Sequence, residues 1–131
     1  MSAHADTLPA VRSGSLRAWA AAARPRTLLV AISPVLVGTA LGIAGAGTID
    51  LVAASLVLAA AVLVQVATNM QNDVGYTVRR GESSGTRTGL PRATANGWLG
   101  VREVRVGIVL VSIVAFGLGW RWRRIGVGPY S

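Results

Sequence analysis

The sequence has 131 residues, of which 52% are apolar and 14% are charged, and its mean hydropathy of +0.53 disfavours a soluble domain. It contains no cysteine, which excludes disulfide bonds, a thiolate nucleophile and thiolate metal ligands. All 13 basic residues are arginine and the net charge is +8, but long uncharged segments separate the arginines. Because they form no continuous basic face, we expect them to flank membrane spans and expect no nucleic-acid binding.

The amino-terminal residues 1–15 are polar and show no helical or strand period, so we predict a disordered leader. Residues 16–23 read LRAWAAAA, a short helical run with Trp19 at the level of a membrane interface. Pro25 follows and suits the first turn of the next helix, because its missing N–H group costs nothing there.

Residues 27–49 contain no charge, and since a bilayer core needs about 20 apolar residues, they are predicted to span a membrane. Pro34 should kink this helix. Gly38 and Gly42 either give a small-residue packing face or reflect the ordinary use of glycine in membrane helices. A cleavable signal sequence is the competing interpretation. The basic region is long and a second hydrophobic segment follows at once, so we favour a retained span.

Two further hydrophobic segments follow. Asp50 either closes a tight hairpin or caps the second helix, which is predicted over residues 51–76. The loop over residues 78–100 is long for a helical membrane bundle, and such loops are commonly functional. Glu103 stands in the first turn of a third helix over residues 101–120, whose apolar part is short for a span at about 15 residues.

The predicted fold is that of an all-α integral membrane protein with about three transmembrane helices, in a partial domain over residues 16–120 followed by an atypical tail over residues 121–131. The arginines before the first span and those of the long loop are separated by two spans, so they share one side, which should be cytoplasmic. Arg121, Arg123 and Arg124 then fall on the other side and break this bias. Either the tail is interfacial, or the third helix does not span, or the tail is not the native continuation of the fold.

One polar stripe stands out at the end of the second predicted helix and consists of Gln65, Asn69, Asn72, Asp73 and Tyr76. Polar side chains in a membrane helix are costly and are therefore candidates for function. Asp73 can give Mg²⁺ a carboxylate oxygen, and Asn69 or Asn72 can add a carbonyl oxygen. The stripe therefore predicts a metal site where the helix leaves the bilayer.

A dense group of arginines follows the stripe in a glycine-rich loop. Guanidinium groups suit phosphate oxygens, and glycines let the backbone approach a ligand closely. The candidates for binding a diphosphate are Arg79, Arg80, Arg87 and Arg92. Stripe and loop together predict a phosphate-bearing ligand held partly through a divalent metal. In the competing interpretation, which stays open, the stripe only caps the helix and the arginines form a solvated face.

Several short motifs carry a family resemblance. They are Asn-x-x-Asn-Asp over residues 69–73, the arginine-rich loop, Gly-Leu-Pro-Arg-Ala over residues 89–93, and Arg-Pro-Arg-Thr over residues 24–27 before a proline-bearing first helix. Together with the order of three hydrophobic segments, they resemble the UbiA-type membrane prenyltransferases over residues 19–120. Within that family the sequence is most similar to the 1,4-dihydroxy-2-naphthoate prenyltransferases of menaquinone synthesis.

The resemblance implies a larger helical bundle in a bacterial cytoplasmic membrane, in which two aspartate-rich motifs bind Mg²⁺ and a polyprenyl diphosphate. The prenyl group is then transferred to an electron-rich aromatic acceptor. By position, Asn72 and Asp73 match the opening of the first metal motif, which makes them the catalytic candidates. The same resemblance assigns Arg79, Arg80 and Arg92 to the diphosphate and Arg24 to the acceptor side. We add Arg87 of the loop to the diphosphate candidates, and Asn69 and Tyr76 of the stripe to the acceptor side.

Two departures from the family pattern bear on activity. Tyr76 stands where the family has another aspartate, and Glu82 is the nearest stand-in for a further acid of the loop. The second aspartate-rich motif would lie on later helices. We therefore interpret the chain as an amino-terminal fragment, a truncated open reading frame or a frameshifted product, which needs those helices, in cis or in trans, for activity. The alternative is a small non-catalytic multi-span membrane protein that binds lipid or a partner helix through its glycine face and arginine loop.

Overall fold

The computed structural model describes residues 11–80 and 92–126, with side chains over residues 11–79 and 92–124. Within these ranges the helices are α1 (Leu16–Ala23), α2 (Leu29–Ala46), α3 (Leu51–Arg80) and α4 (Val101–Gly126), with a 3₁₀ turn at Pro25–Thr27 between the first two. The described part of the chain contains no strand. The all-α prediction is therefore confirmed.

Acidic side chains fix the starts of the two long helices. Asp50 caps α3, because its Oδ1 atom accepts the backbone N–H groups of Val52 and Ala53 at 2.9 and 3.0 Å. Glu103 lies in the first turn of α4, where its Oε2 atom accepts the N–H group of Gly100 at 2.9 Å. The predictions of an acidic cap at position 50 and of a first-turn acid at position 103 are confirmed.

The helix boundaries differ from the predicted ones at several points. Pro25 opens the 3₁₀ turn, and the α-helical part of the first span begins only at Leu29. Pro34 lies inside α2 without ending it, so its predicted kink stays a prediction. The second helix runs on to Arg80 instead of stopping at residue 76, and the third runs on to Gly126. Both extensions carry arginines, which are good helix formers.

The residues just before α1 are attached to the loop before α4. The backbone N–H group of Gly14 and the hydroxyl of Ser13 both donate to the carbonyl oxygen of Trp98, at 2.9 and 3.2 Å. These hydrogen bonds attach Ser13 and Gly14, at the end of the predicted leader over residues 1–15, to the rest of the chain. Residues 1–10 lie outside the described ranges.

The buried core lies at one end of the molecule, where α1, the second half of α3, the segment 92–100 and the start of α4 meet. Its apolar side chains are Ala18, Ala22, Met70, Val74, Ala93, Leu99 and Val104. Because α1 contributes only alanines to this set, it can lie close against α3. This end also carries the residues that the sequence singles out for function.

The rest of the molecule presents apolar side chains to its surroundings. None of the described residues of α2 is buried, and Leu41 and Phe116 are 68% and 72% exposed. Leu29–Ala46 and Leu51–Arg79 are the two described helices that are long and apolar enough to cross a membrane. Such extensive apolar surface is stable only against lipid or other helices, so the chain is a membrane protein. The predicted third span, inside α4, stays a prediction.

Gly107 of α4 faces both α1 and α3 at the edge of the core. A methyl group added there would lie 2.8 Å from Cε of Met70 and 2.9 Å from ring atom Cζ3 of Trp19. Gly117, on the same helix, would place its added methyl group within 4 Å of nothing in the described structure.

We predict that Gly107→Ala lowers the free energy of unfolding by about 1–3 kcal/mol relative to Gly117→Ala, because the added methyl group must displace Trp19 and Met70. Unfolding in mixed detergent micelles, followed by circular dichroism, measures both variants. Equal stabilities of the two variants would contradict this packing.

Candidate functional site

The side chain of Asp73 is completely buried, at 0% exposure, near the end of α3. Its Oδ2 atom accepts two hydrogen bonds from Thr94, one from the backbone N–H group and one from the hydroxyl, both at 3.0 Å. Its Oδ1 atom is buried too and has no hydrogen-bond partner among the described residues. One oxygen of this carboxylate is therefore hydrogen-bonded, and the other has no partner among the described residues.

Thr77, one turn along α3, completes this network. Its hydroxyl lies 2.7 Å from the hydroxyl of Thr94 and 3.3 Å from the carbonyl oxygen of Asp73. The Thr94 hydroxyl also lies 3.1 Å from that same carbonyl. A hydroxyl has one hydrogen to donate, and a carboxylate is the stronger acceptor. We therefore assign the Thr94 hydrogen to Asp73 Oδ2 and the Thr77 hydrogen to the Thr94 oxygen.

The side chain of Asn69 points elsewhere and joins α3 to the turn after α1. Its Nδ2 atom donates to the carbonyl oxygen of Ala23 at 2.7 Å and to the hydroxyl of Thr27 at 2.8 Å. Its Oδ1 atom accepts from Nε2 of Gln65 at 3.3 Å. Both polar atoms of this amide therefore have hydrogen-bond partners in the protein, and two of the three bonds fix the turn after α1 against α3.

Arg24 lies at the centre of that turn, in a conformation that is uncommon for its residue type. Its φ of 53° is left-handed, and it both ends α1 and begins the 3₁₀ turn. Its carbonyl oxygen accepts the hydroxyl of Thr27 at 2.9 Å. Its Nε atom is buried and has no hydrogen-bond partner in the described structure. Asn69 thus braces a strained corner that carries one of the predicted acceptor-side residues.

Arg92 contacts two residues of α3. Its Nη1 atom donates to the backbone carbonyl oxygen of Asn72 at 3.0 Å, and its Cζ atom lies 4.0 Å from the centre of the Tyr76 ring. This is a cation–π arrangement. The structure therefore brings together three of the predicted site residues, namely one arginine of the loop and two members of the stripe.

A groove of about 520 Å³ runs between α3 and α4 next to these residues. Apolar side chains form most of its wall, and Asn72, Gln71, Thr68 and Ser112 add neutral polar groups. Its lining residues are Val64, Ala67, Thr68, Gln71, Asn72, Ile108, Ser112, Ala115 and Phe116. The groove is thus mainly apolar and reaches α3 beside the contact made by Arg92.

The polar stripe of the sequence therefore divides over two faces. Asn72 is exposed on the groove side, whereas Asp73 is buried toward the segment 92–100. Consecutive helix positions project about 100° apart, so one helix cannot aim both side chains at the same point. In the described ranges no three His, Cys, Asp or Glu residues come close enough to hold a metal ion. The predicted Mg²⁺ ligand set of Asp73, Asn69 and Asn72 stays a prediction.

The remaining arginines of the predicted site are less defined. Arg79 is exposed at the end of α3. Arg80 ends α3 and its side chain lies outside the description, as does the whole of Arg87. Sequence reasoning missed Thr77 and Thr94. Thr77 could have been found, because it lies one helical turn after Asp73. Nothing in the sequence relates Thr94 to a carboxylate 21 positions earlier.

Comparison with known proteins gives two similar sequences. The 1,4-dihydroxy-2-naphthoate octaprenyltransferase of Haemophilus influenzae is 30% identical over 102 residues, which cover 77% of this chain and 33% of that protein. The protein of the same name from Escherichia coli is 32% identical over 98 residues, covering 75% of this chain and 31% of its own length. The chain thus spans about a third of the length of the curated relatives it matches. No protein-family model and no solved structure matches it.

Asn69 and Asn72 allow a matched test of the brace at the turn. We predict that Asn69→Ala lowers the free energy of unfolding by about 1–3 kcal/mol, because it leaves the carbonyl of Ala23 without its donor. Asn72→Ala removes the same side chain from an exposed position and should change stability by less than about 0.5 kcal/mol. Unfolding in detergent micelles measures both, and equal losses would refute the brace.

The left-handed backbone conformation of Arg24 can also be tested by substitution. Arg24→Ala and Arg24→Gly both remove the guanidinium group, but only glycine adopts a positive φ without cost. We predict that the glycine variant is more stable than the alanine variant by about 1 kcal/mol in the same unfolding assay. The opposite order would show that the corner is not left-handed.

Proposed function

We propose that this chain forms the diphosphate-binding part of a membrane prenyltransferase. The whole enzyme would transfer a polyprenyl group from a polyprenyl diphosphate to an aromatic acceptor such as 1,4-dihydroxy-2-naphthoate. The proposal draws on the similarity to the two octaprenyltransferases. The structural observation that carries it is the apolar groove beside Asn72, whose backbone carbonyl holds the guanidinium group of Arg92.

The groove and Arg92 suit the two parts of an amphiphilic substrate. A prenyl chain is apolar and would lie against Ile108, Ala115 and Phe116, whereas its diphosphate needs cations and hydrogen-bond donors. Arg92 offers both, and guanidinium groups bind phosphate oxygens in pairs. Negative charge grows on the diphosphate as it leaves, so a fixed cation at this point would favour the transition state over the bound substrate. We include Arg79, Arg80 and Arg87 in the same diphosphate site.

Mg²⁺ is part of the proposal, and the residues present fit it at one point. The Oδ1 atom of Asp73 is a buried carboxylate oxygen without a partner in the described structure, a costly arrangement unless a cation or donor meets it. Mg²⁺ commonly takes only one or two protein carboxylates and leaves its other positions to phosphate and water. When bound, it would neutralise charge on the departing diphosphate. Asp73 would be its ligand, whereas Asn72 faces the groove and the amide of Asn69 is already engaged.

On the acceptor side we propose Arg24 and Tyr76. The buried Nε atom of Arg24 is a donor without a described partner, and an aromatic acceptor with carboxylate and hydroxyl groups offers oxygens to such a donor. Tyr76 lies one turn after Asn72 on α3 and contacts Arg92.

We further propose a multi-pass protein of a bacterial cytoplasmic membrane, with its arginine-rich loop on the cytoplasmic side. The core supports this because it brings α1, the end of α3 and the start of α4 to one end, and the arginines of these elements with it. Because the chain matches about a third of the length of these relatives, we propose that the whole enzyme contains further helices, in cis or in trans.

Equilibrium binding tests the proposal on the chain itself. Reconstituted in lipid nanodiscs, the chain should bind farnesyl diphosphate in the presence of Mg²⁺. We predict that Arg92→Gln weakens this binding about tenfold or more, because a hydrogen bond to a charged group is lost. Arg121→Gln, which removes an exposed arginine at the far end of α4, should leave it unchanged. Equal weakening by the two variants would contradict a specific role of Arg92, because loss of net positive charge alone would then explain the weaker binding.

Transfer activity needs the complete bundle, so it is tested in a chimera. The matched residues of the Escherichia coli relative would be replaced by those of this chain, and octaprenyl transfer to 1,4-dihydroxy-2-naphthoate would be measured. Activity that disappears with Asp73→Asn supports the proposal. An active chimera that tolerates this change refutes the metal role. Absence of both binding and transfer favours the non-catalytic membrane protein.

A further inference from the structure

The two oxygens of the Asp73 carboxylate are treated differently by the fold. Two donors of Thr94, its backbone N–H group and its hydroxyl, converge on Oδ2, and the hydroxyl of Thr77 lies 2.7 Å behind the Thr94 hydroxyl. Oδ1 receives nothing from the described residues, although it is equally buried. An arrangement that served only to satisfy a buried carboxylate would distribute donors over both oxygens.

We infer that Thr94 is a positioning residue for Asp73, supported by Thr77, and that it reserves Oδ1 for the metal-bound diphosphate. The inference rests on the proposed function, because it assigns Oδ1 an external cation. It goes beyond that function in naming two residues outside the motifs of the sequence as determinants of the site.

The need for positioning follows from the chemistry of aspartate. The torsion that rotates its carboxylate has a broad minimum, so the helix alone does not decide which oxygen points where. Two donors on one oxygen remove this freedom, and they come from a rigid backbone group and from a hydroxyl oriented by Thr77. Partners that orient a metal ligand in this way typically change metal affinity about 10–100-fold when they are removed.

The same contact also determines where Arg92 lies. Thr94 follows Arg92 by two positions, and its bonds to Asp73 attach this part of the chain to α3. Arg92 then reaches the carbonyl of Asn72 and the ring of Tyr76 on the same helix. One attachment therefore orients the carboxylate of Asp73 and brings Arg92 against the same end of α3.

Hydroxyl deletion separates positioning from packing. Thr94→Val removes the hydroxyl, keeps the shape and leaves the backbone N–H group in place. Thr94→Ser keeps the hydroxyl and removes a methyl group, so it should rescue a positioning role but not a packing role. Thr77→Val removes the supporting hydroxyl, and Thr39→Val in α2 makes the same chemical change away from the site.

The probe is Mn²⁺ with inorganic pyrophosphate, titrated into the chain in nanodiscs and followed by electron paramagnetic resonance. We expect Thr94→Val to weaken Mn²⁺ binding about tenfold or more, Thr77→Val to weaken it less, and Thr94→Ser and Thr39→Val to stay close to the wild-type protein. Asp73→Asn should abolish binding. Circular dichroism on each sample confirms that the helices are retained.

Wild-type affinity in Thr94→Val, with binding lost in Asp73→Asn, would overturn the inference and leave the proposed function in place. Equal weakening in the serine and valine variants would also overturn it, because packing would then be the cause. If Thr94→Val does not fold, Thr77→Val decides, and wild-type affinity in that variant overturns the inference. If the wild-type chain binds no Mn²⁺, the proposed metal site fails and the inference with it.

Discussion

The buried carboxylate of Asp73 is the interaction on which this end of the molecule depends. It accepts two hydrogen bonds from Thr94, and these bonds attach the segment that leads into α4 to the end of α3. Without them the segment would keep the contacts of Arg92 with Asn72 and Tyr76 and the apolar contacts of Ala93 and Leu99, but it would lose its buried attachment to the helix. A carboxylate beside an apolar core is costly unless it is paired, so the fold depends on this geometry being kept.

The two ends of the molecule differ in what stabilises them. At the core end, hydrogen bonds from Asn69 and Thr94 fix the turns before α2 and α4, and small residues let α1 lie against α3. Beyond it, the helices expose apolar side chains to lipid or to helices of a larger bundle. The polar contacts between elements are thus concentrated at one end of the molecule, and Arg92 and the Asn72 side of the groove lie at that end.

Hydropathy and single-residue signals were sufficient to predict the helices, the Asp50 cap and the first-turn position of Glu103, because each depends on neighbours in the sequence. They could not separate Asn72 from Asp73. Both belong to one stripe by spacing, yet they face different surroundings once α1 and the segment 92–100 are packed against α3. The bonds of Asn69 to Ala23 and Thr27, and of Thr94 to Asp73, join distant parts of the chain and leave no periodic signal.

Amide hydrogen exchange at Thr94 tests the attachment most directly, because its N–H group donates to Asp73 Oδ2 in a buried position. In the wild-type chain this amide should be protected. In Asp73→Ala it should exchange about tenfold faster or more, since losing a hydrogen bond of this kind costs about 1–3 kcal/mol. The amide of Ala54, which donates to the carbonyl of Asp50 at the opposite end of α3, should be unaffected. An unchanged rate at Thr94 would contradict the account.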